Sequence, residues 1–292
     1  MILCIGEILA DVIATQKADM LDARFRCGGA PFNVAVHAKR AGGAVGFVGR
    51  VGQDSVGNFI RSFAAEQSLD YLDLQVDPHR NTTLAFVTLD EDGERDFTFL
   101  RHECADYHTD VSCLDTLVDS ISAVHLGSLM LSEQVGQQTA LKVAKWCKNN
   151  GKKLSFDINY RQDIFECEQD AIEVYRRFAD MADYLKLSLD EALMLTDANS
   201  ARQAAELLAS NGKLVVITLG SAGSYYYIDG RDGVVSSQKV KAVDTTGAGD
   251  AFWGTFLARL DGATDLSDEF VKDALRFANK AGAQCALKEG AI

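Results

Sequence analysis

Asp244-Thr245-Thr246-Gly247-Ala248-Gly249-Asp250-Ala251-Phe252 is the stretch on which the reading of this chain turns. It follows a β-like run over residues 234–243 and leads into an apolar, helix-like run over 251–260, so its glycines fall at a strand-to-helix turn. The first N–H groups of a helix have no intrahelical partner and sit at the positive end of its dipole. A turn of small residues therefore lets several of them close on a phosphate. Gly247 and Gly249 lack the β-carbons that would block that approach. Asp250 would repel a phosphate unless it faced the group that attacks it, so a carboxylate beside an anion pocket points to phosphoryl transfer with a general base. Taken without that pairing, the same residues make an ordinary capped turn, with Thr245 or Thr246 as N-cap and Asp250 complementing the dipole.

Composition narrows the class. The 292 residues, 47% of them hydrophobic, suffice for a substantial core. A formal charge of -13 argues against a nucleic-acid partner or an anionic membrane surface, both of which need a basic face. Any phosphate must be held locally, by backbone dipoles, a few arginines or a metal. The seven cysteines are scattered and contain no Cys-x-x-Cys pair, which fits a reducing cytoplasm. The apolar N-terminus carries Glu7 and Asp11 and no basic segment, so no signal peptide is expected, and no run is apolar enough to predict a membrane span.

Residues 2–5 and 8–14 read as strands separated by Gly6-Glu7, with Asp11 interrupting the second. In Gly28-Gly29-Ala30-Pro31-Phe32-Asn33, Pro31 suits a helix's first position and apolar residues follow at helical spacing, so the glycines lie just before a helix. Asp54 caps a helix over 54–66, residues 71–76 return to strand, and 82–89 and 96–100 alternate like strands around a hairpin signal at Asp92-Gly93. From residue 121 the order is strand 121–126, helix 133–149, strand 153–156, helix 171–181 and strand 184–187, which implies βαβ units and a parallel sheet. Asp157-Ile158-Asn159-Tyr160-Arg161 lies at the carboxyl end of one such strand, where α/β proteins bind ligands. Strand 214–219 runs into Thr218-Leu219-Gly220-Ser221-Ala222-Gly223, and a last helix over 268–287 carries Ala278, Asn279 and Gly282. Gly46, Gly49 and Gly52 do not have the Gly-x-Gly-x-x-Gly spacing of a dinucleotide fingerprint.

The nine residues at 244–252 resemble the second signature of the ribokinase-like (PfkB) carbohydrate kinases, without a gap. Gly28-Gly29 and Asn33, with Gly42-Gly43, the run 47–52, Asp54 and Gly57, resemble the first signature. The resemblance implies an α/β, ribokinase-like fold, with a central, mostly parallel sheet flanked by helices. It implies a single kinase domain over 1–292, with a small β-sheet lid formed from about 9–27 and 82–101. Asp250 would be the catalytic base and the backbone of Gly247, Ala248 and Gly249 the anion hole. Asp11, Gly28, Gly29, Asn33, Arg101, Asn159 and Arg161 would meet the sugar, although Ile158 stands where the family commonly has proline. Ser188, Thr218, Gly220, Gly223 and Asn279 would line the nucleotide site.

Ser188-Leu189-Asp190-Glu191 resembles an Asn-x-x-Glu element that supports Mg²⁺ through water, with Ser188 in place of asparagine. It equally reads as a Ser-x-x-Glu capping box. Asp244 and Thr246 resemble part of a monovalent-cation site, for K⁺. The implied cosubstrate is ATP with Mg²⁺, the implied location cytoplasmic, and a homodimer through the lid is compatible with the family. The sugar-site residues look most like those of fructokinases, with 2-keto-3-deoxygluconate kinases next, since a substrate carboxylate would suit Arg101 or Arg161. A catalytically silent sugar-binding relative is the alternative class.

Overall fold

The computed structural model of the chain describes all residues except 90–94, 166, 211 and 264. The strands are β1 (Ile2–Ile5), β2 (Leu9–Lys17), β3 (Met20–Gly28), β4 (Val45–Gly52), β5 (Tyr71–Asp77), β6 (Leu84–Leu89), β7 (Arg95–Leu100), β8 (Ala123–Leu126), β9 (Lys153–Asp157), β10 (Tyr184–Ser188), β11 (Leu214–Thr218), β12 (Ser224–Ile228) and β13 (Arg231–Val235). The helices are α1 (Ala30–Arg40), α2 (Ser55–Ala65), the short α3 (Cys113–Thr116), α4 (Gln134–Asn149), α5 (Glu168–Met181), α6 (Leu189–Thr196), α7 (Ala201–Leu208), α8 (Ala248–Leu260) and α9 (Asp268–Cys285).

Nine strands form the main sheet in the order β13-β12-β11-β10-β9-β8-β1-β4-β5. All neighbours from β5 to β11 run parallel, and β12 and β13 close one edge antiparallel. Their near-continuous apolar runs follow from burial on both faces. Alternate residues feed two cores. Leu3, Ile5, Leu185 and Leu187 pack with α4 to α7, whereas Ile2, Cys4, Tyr184 and Val216 pack with α1, α2, α8 and α9. On the second face Trp253 of α8 is fully buried and donates from Nε1 to Ser155 Oγ of β9 at 3.0 Å, which pins the helix to the sheet.

β3, β2, β6 and β7 make a separate four-stranded sheet. Its strands match the two segments expected to stand apart from the βα alternation, and β6 and β7 pair antiparallel from Leu84–Leu100 to Leu89–Arg95. The Asp92-Gly93 turn signal lies outside the described residues.

One expectation fails. The strand expected over 234–243 ends early: β13 stops at Val235, and an irregular segment over 236–246 carries the chain to the turn at Gly247. There, Val243 N–H donates to Ala286 O (2.8 Å) at the end of α9, so a helix terminus rather than a strand satisfies that stretch. The helix also starts three residues early, at Ala248, which brings Asp250 inside its first turn.

Candidate active site

The carboxyl ends of the parallel strands open into a cleft of 670 Å³ between the main sheet and the small one. Asp250 occupies the third position of α8, behind a Gly247 N-cap in left-handed conformation (φ 75°). A β-carbon on Gly247 would lie 2.3 Å from Ala291 Cβ, so glycine is required for both its backbone angle and the close approach of the C-terminal segment. Of the first-turn amides, Ala248 N–H donates back to Thr245 O (3.1 Å) and Ala251 N–H begins the helical ladder on Gly247 O (2.8 Å). Of the three amides expected in the anion hole, that of Ala248 is thus taken by Thr245 O, whereas the N–H groups of Gly247, Gly249 and Asp250 have no protein acceptor among the described residues. Across the cleft, Asn33 in the first turn of α1 donates from Nδ2 to Asp250 Oδ2 at 2.7 Å. The amide fixes one carboxylate oxygen and leaves the other to face the cleft.

Of the double glycine, Gly29 lines the cleft and Gly28 packs against Asp11, which also lines it. A β-carbon on Gly28 would fall 2.5 Å from Asp11 Oδ2, and one on Gly29 (φ 111°) would fall 2.5 Å from Glu7 O. Only glycines let β3 turn into α1 while the Asp11 carboxylate lies over them. Asn159 and Arg161 also line the cleft. Asn159 N–H is held by Ser128 Oγ (3.0 Å), and Arg161 donates to Tyr160 O (2.9 Å).

The sequence reading passed over two further cleft residues. Lys186 on β10 faces the α8 side of the sheet, in register with Asp157 on β9. Its ammonium lies 2.8 and 2.7 Å from the two Asp157 oxygens and 3.1 Å from where a Gly249 β-carbon would be. Burial works to lower the Lys186 pKa, but Asp157, Glu191 and Asp250 outweigh it and hold the ammonium above its usual range. The lysine inside the apolar run Tyr184-Leu185-Lys186-Leu187 was the available signal. Glu7, directly after β1, is fully buried, and neither carboxyl oxygen has a hydrogen-bond partner.

A second cavity, of 270 Å³, adjoins the first at Thr245 and Gly249 and is lined by Thr218, Gly220, Gly223 and Asn279. Gly223 (φ 113°) passes so close to Val235 O that a β-carbon would meet it at 2.1 Å. Asn279 is buried and donates from Nδ2 to Ser224 Oγ (3.2 Å) and Val235 O (2.9 Å), fixing α9 against β12 and β13. Four of the five residues expected on the nucleotide side therefore share one cavity, Ser188 being outside it, and Thr245 and Gly249 line both this cavity and the larger cleft.

Four expected site residues already have partners within the protein. Arg101 is buried and lines a neighbouring cavity with Phe99 and Tyr107 rather than the Asp250 cleft itself. Its guanidinium binds Asp106, donates to Leu129 O at 2.5 Å and stacks 4.0 Å above the Tyr107 ring. The carboxylate five residues downstream, inside the Ala105–His108 turn, captures it. Ser188 and Glu191 form a complete capping box: Glu191 Oε2 accepts Ser188 N–H at 2.7 Å, while Oε1 accepts Tyr160 N–H at 2.9 Å. Neither residue is among those lining the two cavities. Asp244 accepts Thr246 N–H (2.9 Å) and Gly290 N–H (2.7 Å), tying the anion turn to the segment after α9.

A helix terminus with free first-turn amides and a carboxylate in that same turn, set between a polar cleft and a slimmer cavity over a parallel sheet, matches the ground plan of a ribokinase-like phosphotransferase. The chain belongs to the pfkB family of carbohydrate kinases, whose model matches residues 1–292. Probable fructokinase-7 of Arabidopsis thaliana is 36% identical over 305 residues, covering 100% of this chain and 88% of that protein. The fructokinase of Xylella fastidiosa, solved with bound ATP, superposes with a TM-score of 0.89 at 29% identity, over 99% of this chain and 93% of that one. The fructokinase of Vibrio cholerae O395 in its fructose, ADP and calcium ion bound form gives 0.85 at 32% identity, over 99% and 94% of the two chains. Among the described residues no helix is long and apolar enough to cross a membrane.

Proposed function

We propose that this chain is an ATP-dependent fructokinase that converts fructose and ATP to fructose 6-phosphate and ADP. The observation that carries the reading is the Asn33–Asp250 pair at the meeting point of the two cavities. The full-length fructokinase relatives supply the sugar. Fructose lies in the larger cleft against Asp11, Gly28, Gly29, Asn33 and Asn159, and ATP enters the smaller cavity along Thr218, Gly220, Gly223 and Asn279. Asp250 accepts the proton of the 6-hydroxyl as that oxygen attacks the γ-phosphorus. The amides of Gly249 and Asp250 and the Lys186 ammonium meet the charge that develops on the phosphoryl oxygens. Arg161 lines the cleft and is the candidate for a second sugar contact. Arg101 acts through Asp106 on the shape of the wall.

Mg²⁺ suits this site because it takes ligands mainly from water and nucleotide phosphates. Both Glu191 oxygens already accept backbone N–H groups, so Glu191 meets the ion only through water. The ion would neutralise the phosphates. Asp244, with Thr246 and nearby carbonyls, is the place for K⁺. We read residues 1–292 as one kinase domain whose four-stranded sheet is a lid that excludes water during transfer. Leu21, 62% exposed, shares one face of that sheet with Phe25 and Leu100, an apolar surface that a second copy would cover. All seven cysteines are free thiols, in keeping with a cytoplasmic location.

The test is ADP release with Mg-ATP in the presence of fructose, 2-keto-3-deoxygluconate, ribose or no sugar. Turnover with fructose supports the assignment. Turnover with the keto acid alone moves the substrate to a sugar acid held by Arg161. Sugar binding without turnover would make the chain a silent relative.

A further inference from the structure

Glu7 stands at the carboxyl end of the central strand β1, and a β-carbon on Gly127, just past the neighbouring β8, would lie 2.7 Å from its Oε2. It is fully buried yet contributes to the wall of the sugar-side cleft. Neither carboxyl oxygen has a protein partner, and Asn33 Oδ1, on the same wall, is a third buried acceptor without one. Three orphaned acceptors beside a cleft are costly unless something that enters it supplies donors, or one of them holds a proton.

We propose that Glu7 is a further substrate-positioning residue: its neutral carboxyl donates a hydrogen bond to a hydroxyl of the bound sugar while Asn33 Oδ1 accepts one. A polyol supplies both a donor and an acceptor from each hydroxyl, so it matches a wall that offers one O–H donor and bare carbonyl-type acceptors. The inference rests on the sugar-kinase reading and adds a proton to it. The groups that face Glu7 are unequal. Arg101, which follows β7, favours the carboxylate. Asp106 in the turn after it and Asp250 on α8 oppose the carboxylate, and Tyr175 of α5 lies within electrostatic reach. Arg101 is already bound to Asp106, so burial dominates and pushes the Glu7 carboxyl up to about 8.

The sign follows. Below that value Glu7 carries its proton and the site is competent. Above it an unsolvated carboxylate faces the sugar oxygens. The KM for the sugar in the wild-type enzyme should therefore rise about tenfold between about pH 7 and about pH 9, with the KM for ATP unmoved. Glu7→Gln keeps a donor and cannot ionise, so its ratio of sugar KM values across that range falls to about one. Glu7→Leu removes the donor, raising the sugar KM at both pH values with the same flat ratio. A Glu7→Gln ratio equal to that of the wild type would overturn the inference. So would a Glu7→Leu enzyme with unchanged sugar KM.

The proton can also be read without substrate. A buried carboxyl that ionises late binds more protons folded than unfolded between the ordinary carboxylate range and about 8, so it makes stability fall with rising pH. Urea unfolding of Glu7→Gln should gain on the wild type as pH rises. A constant difference would overturn the protonated state. Absence of fructose turnover in the wild type, with this pH-dependent gain intact, would sink the fructokinase reading and leave the proton in place.

Discussion

Lys186 and Asp157 face each other on adjacent parallel strands, with the ammonium 2.8 and 2.7 Å from the two carboxylate oxygens in a part of the sheet that both residues leave almost no route to solvent. The pair sits beneath the first turn of α8, at Gly249. Fixed charge there costs no reorganisation when phosphate charge develops above it. Lys186→Met leaves Asp157 buried without its partner and should cost about 3–5 kcal/mol in urea unfolding, together with a fall in kcat of about a hundredfold. The double variant Lys186→Met/Asp157→Leu should recover most of the stability and none of the activity. A single variant as stable as the wild type would remove the pair from the account.

Asp250→Asn removes the proton acceptor while keeping an amide that Asn33 can still bond. The expected result is a kcat lower by about 10²–10⁴-fold with fructose affinity retained in calorimetric titration. Unchanged turnover refutes the assignment of the base.

Gly28→Ala tests the wall rather than the chemistry. The new β-carbon falls 2.5 Å from Asp11 Oδ2 and pushes the carboxylate off its place. Losing a hydrogen bond to a charged group costs about 1.5–3 kcal/mol, so the KM for fructose should rise roughly ten- to a hundredfold with little change in the KM for ATP. Equal effects on both KM values would mean that the substitution disturbs the fold.

Phe25, 45% exposed on β3, is the place to test the lid-to-lid dimer. Phe25→Asp should convert a dimer to a monomer in light scattering, because a charge in an apolar contact is expensive to bury. A wild-type monomer at micromolar concentration ends the proposal.

The two glycine-rich stretches announced the site because positive φ and close approach leave few residue choices, and local sequence therefore records them. The cap at Asp54, the helix after Gly29 and the strands β6 and β7 were legible for the same local reasons, whereas β3 was not. What escaped depended on partners distant in sequence. Lys186 hid in an apolar run because its neutraliser lies on another strand, and residues 236–243 continue an alternating pattern although the end of α9 takes up the Val243 amide. Arg101 is the local exception, since Asp106, which binds its guanidinium, lies five residues on. Glu191 offered two readings, and the capping geometry is the one the described hydrogen bonds contain.

The hydrogen bond between Asn33 and Asp250 closes a loop of 217 residues. A contact of that span forms only after the intervening βα units have stacked, because its loop-closure entropy must be met before it returns any stabilisation. The reactive centre is therefore among the last features a nascent or refolding chain acquires. Helical signal should return first and turnover last, so partly folded chains would stay inert towards ATP.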